Sequence, residues 1–226
     1  MKINFQKLFF PTKNRKETSS INSEKHKKFD SNEYNAILLA DEAAIKVKSK
    51  DYQGAIFDYD RSIELYRKDP DIFCKRALIK TVIGDYVGVI ADCNQALELN
   101  PNMADAYSLR GRAKFDLSFD KLMSFKKSIT DINEKIKYSD SIDFVKNEYE
   151  DALKDFNKAI ELEPFNAVTF FDRGNLKIEM KDYIGAIGGL NKTCSLEPAM
   201  KTQAQLSIMR AEMKLKSDER RNNLNK

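Results

Sequence analysis

The sequence predicts an all-α protein: a solenoid of four stacked helix–turn–helix units, with an elongated antiparallel helical hairpin in the third unit and a C-terminal capping helix. Three observations predict it. A 14-residue pattern recurs, as YQGAIFDYDRSIEL from Tyr52, YVGVIADCNQALEL from Tyr86, YEDALKDFNKAIEL from Tyr149 and YIGAIGGLNKTCSL from Tyr183. The first two copies start 34 residues apart and so do the last two, whereas 63 residues separate Tyr86 from Tyr149; a fixed period of this size marks one helical unit repeated along the chain. The 226 residues are rich in Lys, Glu, Asp, Ala, Leu and Ile, with 8 Gly, 5 Pro and no Trp, a helix-forming composition. Small residues also recur at fixed slots, where two helices must approach closely.

Residues 1–30 carry eight Lys/Arg against three acidic groups, while the other 196 residues sum to −1 within a net charge of +4. We expect a basic, disordered leader and a body with no basic face for nucleic acid. MKINFQKLFFPTK lacks an uninterrupted apolar run and a small-residue cleavage site, so it makes a poor secretory signal. Phe5, Leu8, Phe9 and Phe10 within residues 1–16 offer a membrane surface an attachment point, an alternative reading of the tail. The same apolar stretch is tethered close to the first unit, where a high effective concentration favours it as an internal plug.

Helices are expected at about 32–49 and 52–67, 71–83 and 86–98, 103–137 and 142–162, and 167–180 and 183–195. The units run over about 36–69, 70–103, 104–166 and 167–200. First helices carry Ala43, Ala77, Gly111 and Gly174 at the small slot. Second helices carry Ala55, Val89, Ala152 and Ala186, then Ser62, Ala96, Ala159 and Thr193. Pro101, Pro164 and Pro198 end the second helices, and Asp69 with Pro70 opens a helix after a longer linker. Ala204, Ile208, Ala211 and Leu215 predict a ninth helix at about 199–216 that caps the apolar end of the stack, with polar, disordered chain from 217 to 226.

The 29 extra residues of the third unit are not a structureless loop. Phe115, Leu122, Phe125, Ile129, Ile132 and Ile136 form one 3–4 stripe, and Ile142, Val145, Tyr149, Ala152, Phe156 and Ala159 form another. Tyr138-Ser139-Asp140-Ser141 between them predicts the turn of a coiled-coil-like hairpin. Each helix would gain about 14 residues, roughly 20 Å. The arm serves either as a spacer held by its own seam or as a handle for a partner; the sequence leaves both open.

Arg76, Arg110 and Arg173 each precede the small residue of a first helix, and Asp58, Asp92 and Asp155 each lie 18 residues earlier. We expect structural ion pairs between successive units, Asp58–Arg76, Asp92–Arg110 and Asp155–Arg173. Pairing within a unit is the alternative, and it requires an acid at 189, where the sequence has Gly189.

These slots resemble the tetratricopeptide repeat (TPR) family, in its bacterial variety, from residue 36 to about 200 apart from the insertion. The resemblance implies a non-catalytic adaptor whose first helices line a concave groove for a peptide or partner protein, which the sequence does not name. Carried over slot by slot, the groove residues are Ile37, Ala40, Ala44 and Val47; Asp71, Cys74, Leu78 and Thr81; Asp105, Ser108, Arg112 and Phe115; and Val168, Phe171, Asn175 and Ile178. Packing of some of them against the leader or the ninth helix is equally open. Co-chaperone members of the family clamp a terminal carboxylate with Lys, Asn and Arg. Here those slots hold Ala40, Ala44, Lys75, Asp105 and Leu109 or, one unit later, Cys74, Leu78, Leu109, Val168 and Asp172, which argues against that role.

No catalytic, cofactor or metal site is expected. The single histidine, His26, lies in the leader, and no phosphate-binding loop is present. Cys74, Cys93 and Cys194 are odd in number and lack zinc spacing, which suits reduced core or groove thiols in the cytoplasm.

Overall fold

The computed structural model describes residues 31–128 and 132–224, without the side chains of 125, 126, 128, 132–144 and 224. The basic-aromatic leader expected over 1–30 lies outside them. Nine α-helices are present among the described residues, and no strand: α1 (Ser31–Lys48), α2 (Tyr52–Leu65), α3 (Pro70–Ile83), α4 (Tyr86–Leu99), α5 (Ala104–Ser128), α6 (Ile132–Leu162), α7 (Ala167–Glu179), α8 (Tyr183–Leu196) and α9 (Lys201–Leu224), with a 3-10 turn at Pro198–Met200 before the last. None is long and apolar enough to cross a membrane.

Helix starts are written into the sequence. Asp51, Asp85 and Asp182 cap α2, α4 and α8 by accepting the amides of Gly54, Gly88 and Gly185 at 2.9 to 3.0 Å. Glycine suits that place, since a Cβ on Gly54 would lie 2.1 Å from Asp51 Oδ2 and the capping carboxylate would have to turn. Asp69 caps α3 with Pro70 in its first turn, as its sequence predicts.

Each helix packs on the next in chain order, and in addition α3 touches α5, α5 touches α7 and α7 touches α9. First helices therefore line one side and second helices the other. The small slots explain the close approach. Ala43, Ala55, Ser62, Ala77, Val89, Ala96, Ala152 and Ala186 are fully buried. A Cβ on Gly174 would come within 2.8 Å of Leu190 Cγ, and one on Gly111 within 3.1 Å of the Ala152 carbonyl. The buried hydroxyl of Ser62 donates to the Ala36 carbonyl at 2.6 Å, so the one polar small slot in α2 is satisfied by α1.

The third pair is elongated, with 25 residues in α5 and 31 in α6 against 14 each in α3 and α4. The turn does not fall at Tyr138–Ser141, which lies within α6; α5 ends at Ser128 and α6 begins at Ile132. Ser and Asp act as caps only where a helix is already ending, and their residue types alone do not end one. In the sequence, Thr130 and Asp131 offer the same capping residue types just before Ile132. The elongation is thus unequal, with more of it in the second helix. At the base of the arm Phe115 and Leu122 pack with Val145, Tyr149, Ala152 and Phe156, as their periodicity predicts. The seam positions Phe125, Ile129, Ile132, Ile136 and Ile142 lie outside the described side chains.

α9 covers the end of the stack. Ala204, Ile208, Ala211 and Leu215 join Phe171, Ile178, Tyr183, Ala186 and Leu190 in one cluster. The helix does not stop at 216 but continues to Leu224. Its last turns are polar but rich in helix formers, and Tyr183 donates its hydroxyl to Asp218 at 2.9 Å, tying them down.

Candidate partner-binding face

The first-helix side is the candidate surface, and its predicted residues divide into three environments. On α1 and α3, Ile37 is 39% exposed, Ala44, Leu78 and Thr81 are half-buried, and Asp71 is open. Thr81 donates its hydroxyl to the Ala77 carbonyl at 3.0 Å. Ala40, Val47 and Cys74 belong instead to the core between the first two pairs. On α7, Phe171 and Ile178 are buried under α9, and Asn175 accepts from Ser207 Oγ at 2.9 Å. Capping by the ninth helix has thus consumed most of the fourth first helix, of which Val168 stays half-buried.

Between α5 and α7 the surface is spanned by polar contacts. Arg112 Nη1 donates to both oxygens of Asp172 at 3.1 and 3.2 Å, and its Nε to Asp116 at 3.3 Å. Ser108 and Thr169 share a hydroxyl contact at 3.0 Å. Burial raises the Asp172 carboxyl above the usual carboxylate range, with Arg112 opposing the shift. This ion pair between successive first helices was not expected. Asp105 remains exposed beside Asp71, and Phe115 packs edge-on against Tyr149, with ring centroids 5.5 Å apart.

The arginines of the small slot are architectural, but they do not pair as expected. Arg76 holds Asp92 with Nε at 2.9 Å and Nη2 at 2.5 Å, and Arg110 holds Asp155 with Nε at 2.9 Å and Nη2 at 2.6 Å. Both carboxylates belong to the second helix of the same pair, 16 positions on once the insertion is discounted. Asp58 is held by Lys46 of its own pair at 2.6 Å. The expectation of Asp58–Arg76, Asp92–Arg110 and Asp155–Arg173 is corrected accordingly. Antiparallel helices place the arginine opposite the next helix at the level where its planar fork meets the aspartate. The link to the preceding pair exists as well, but to a residue 16 positions back. Arg76 Nη1 donates to Asp60 at 2.5 Å, Arg110 Nη1 to Asn94 at 2.7 Å and Arg173 Nη1 to Asn157 at 2.8 Å.

Two further members of this unit were missed. A lysine four residues after the arginine contacts the same carboxylate, Lys80 to Asp92 at 2.9 Å and Lys114 to Asp155 at 2.8 Å. An aromatic residue three positions before lies under each guanidinium, with Phe73, Tyr107 and Phe170 5.8, 5.4 and 5.2 Å away. The recurring spacing aromatic-x-x-Arg-small-x-x-Lys was legible: Phe73–Lys80, Tyr107–Lys114 and Phe170–Lys177.

Burial pushes the Cys74 thiol up to about 12, with Asp105 and Asp71 adding to it, and raises Cys93 likewise, so neither is a thiolate nucleophile at neutral pH. Among the described residues no group of three or more His, Cys, Asp or Glu is placed to hold a metal ion.

No family model matches the chain, and no curated protein matches it. Solved structures do resemble it. The MamA protein has a TM-score of 0.59 at 20% identity, over 78% of this chain and 80% of that one. TTC0263, a thermophilic TPR protein of Thermus thermophilus, gives 0.60 at 13% identity, over 80% and 82%. The first TPR of Spaghetti (RPAP3), bound to the HSP90 peptide SRMEEVD, gives 0.50 at 22% identity, over 66% and 94%. The fold is that of a TPR solenoid.

Proposed function

We propose that this chain is a non-catalytic interaction scaffold that binds a peptide segment or partner protein along its first-helix side. The observation that carries the reading is a stretch of that side on α1 and α3 that no other described residue covers. There Ile37, Ala44, Leu78 and Thr81 stay accessible beside Asp71, while the equivalent stretch on α7 is closed by α9. Accessible apolar surface rimmed by polar groups suits a docking segment. The TPR of Spaghetti (RPAP3) binding an HSP90 peptide lends support at the level of the fold. The clamp residues for a terminal carboxylate do not occupy their slots in this chain, so the segment is read as an internal one with apolar anchors.

A peptide selected from a display library on the immobilised full chain tests this. Its affinity should fall at least tenfold in Leu78→Glu and stay unchanged in Phe57→Glu, which alters an exposed side chain on α2. Equal affinity for both variants would remove the groove from the proposal.

A further inference from the structure

We propose that the slot opposite Arg173, where Gly189 stands in place of an aspartate, is a binding site for an external carboxylate. The earlier pairs show what the slot holds. Asp92 and Asp155 each present a carboxylate to Nε and Nη2 of an arginine on the facing helix, and each receives a lysine four residues beyond that arginine. In the fourth pair the cations remain, Arg173 and Lys177, and the carboxylate is gone.

The arginine is held as if the carboxylate were there. Nη1 of Arg173 donates to Asn157 at 2.8 Å, as Arg76 does to Asp60 and Arg110 to Asn94. The ring of Phe170 lies 5.2 Å from the guanidinium carbon, as Phe73 and Tyr107 underlie the other two. The edge that grips aspartate elsewhere is therefore turned toward position 189, and Nε of Arg173 is buried without a hydrogen-bond partner. A buried donor left unpaired is costly, and a charged acceptor supplied from outside recovers that cost. Burial alone acts on Arg173 and lowers its pKa, whereas carboxylate partners leave Arg76 and Arg110 raised.

The backbone at the slot is loosely packed. A Cβ at Gly189 would meet only the Phe170 carbonyl oxygen, at 3.6 Å, and one at Gly188 would meet nothing within 4 Å. Gly188, the neighbouring residue, is exposed, while Gly189 itself is buried. Lys177, now 2.8 Å from the capping Asp182, stands on the same helix face as Lys80 and Lys114 and is the second cation available. The shared chemistry is a carboxylate, from a free organic acid or from an Asp or Glu side chain of a bound chain. Only the second source rests on the scaffold reading.

The test follows the Arg173 Nε–H and Gly189 amide signals of the full-length ¹⁵N-labelled protein by NMR. Sodium acetate and the capped peptide Ac-Ala-Asp-Ala-NH2 are titrated separately. Ac-Ala-Asn-Ala-NH2 and sodium chloride at matched ionic strength are the controls. Both carboxylate probes should move the two signals saturably while the Nε–H signals of Arg76 and Arg110 stay still. Gly189→Asp should abolish the response by filling the slot from within, and Arg173→Gln should abolish the movement of Gly189. A peptide at least tenfold tighter than acetate identifies a side chain as the source, and equal affinities identify a free acid. No saturable movement with either probe overturns the site, as does a response that survives in Gly189→Asp or is reproduced by the asparagine peptide. None of these outcomes depends on Leu78, so this site and the groove fail separately.

Discussion

Arg76 holds Asp92 of its own helix pair at 2.9 and 2.5 Å and Asp60 of the preceding pair at 2.5 Å with one guanidinium. A single side chain thus closes one pair and fixes its register on the last. Asp92 is only 2% exposed, so it depends on Arg76 and Lys80 for its charge to be tolerated. Arg76→Ala should lower the unfolding free energy by about 2–4 kcal/mol. Arg76→Lys should recover less than half of the loss, because an ammonium cannot span both partners. Urea denaturation of the full chain measures both. A loss no greater than that of Arg61→Ala, an exposed arginine on α2, would contradict this role.

Gly189→Asp should stabilise the protein. It gives Arg173 the partner that Arg76 and Arg110 have and replaces a helical glycine, for a gain of about 1–2 kcal/mol. An unchanged or lower denaturation midpoint would show that the backbone at 189 is not equivalent to that at 92 and 155.

The same contrast shows what the sequence allowed. Helix order, the small slots and the covering last helix were legible because each repeats or has the helical period. The arginines and aspartates were legible as a set, but not their pairing. Spacings of 18 back and 16 on are equally regular, and only the antiparallel register of two helices decides between them. The glycine at 189, which argued against pairing within a unit, marks instead the one pair in which the partner is lost. Among groove residues, Phe171 and Ile178 follow the alternative left open, packing against the ninth helix, because a helical slot alone does not decide what a later helix will cover. The hairpin turn was missed for a related reason. Tyr138–Ser141 has capping residue types, but such types alone do not end a helix, and α6 runs through them from Ile132.

Two glycines in neighbouring helices should respond oppositely to alanine. At Gly174 the new Cβ meets Leu190 Cγ at 2.8 Å in a close helix contact, so Gly174→Ala should cost about 1–3 kcal/mol despite its better helix propensity. At Gly188 nothing lies within 4 Å, and Gly188→Ala should gain up to about 1 kcal/mol. Thermal unfolding of the two variants checks the pair, and a stabilised Gly174→Ala would mean that α7 and α8 are free to separate.

The turns inside the helix pairs offer a third comparison. Gly84 has φ of 81°, and at the matching places Lys50 and Lys181 have φ of 64°, a region unfavourable to residues with a side chain. Lys50→Gly and Lys181→Gly should each raise stability by about 0.5–1 kcal/mol. Denaturant midpoints that fall in either variant would show that the lysine side chain contributes more than its backbone strain costs.

The central claim is that partners dock on the first-helix side over α1 and α3. It is tested most directly by placing a photo-crosslinking amino acid at Leu78 in one sample and at Ile184, which is 77% exposed on α8, in another, each with a peptide selected on the native chain. The account predicts a covalent adduct from position 78 and none from position 184. An adduct from 184 alone, or equal yields from both, would contradict it.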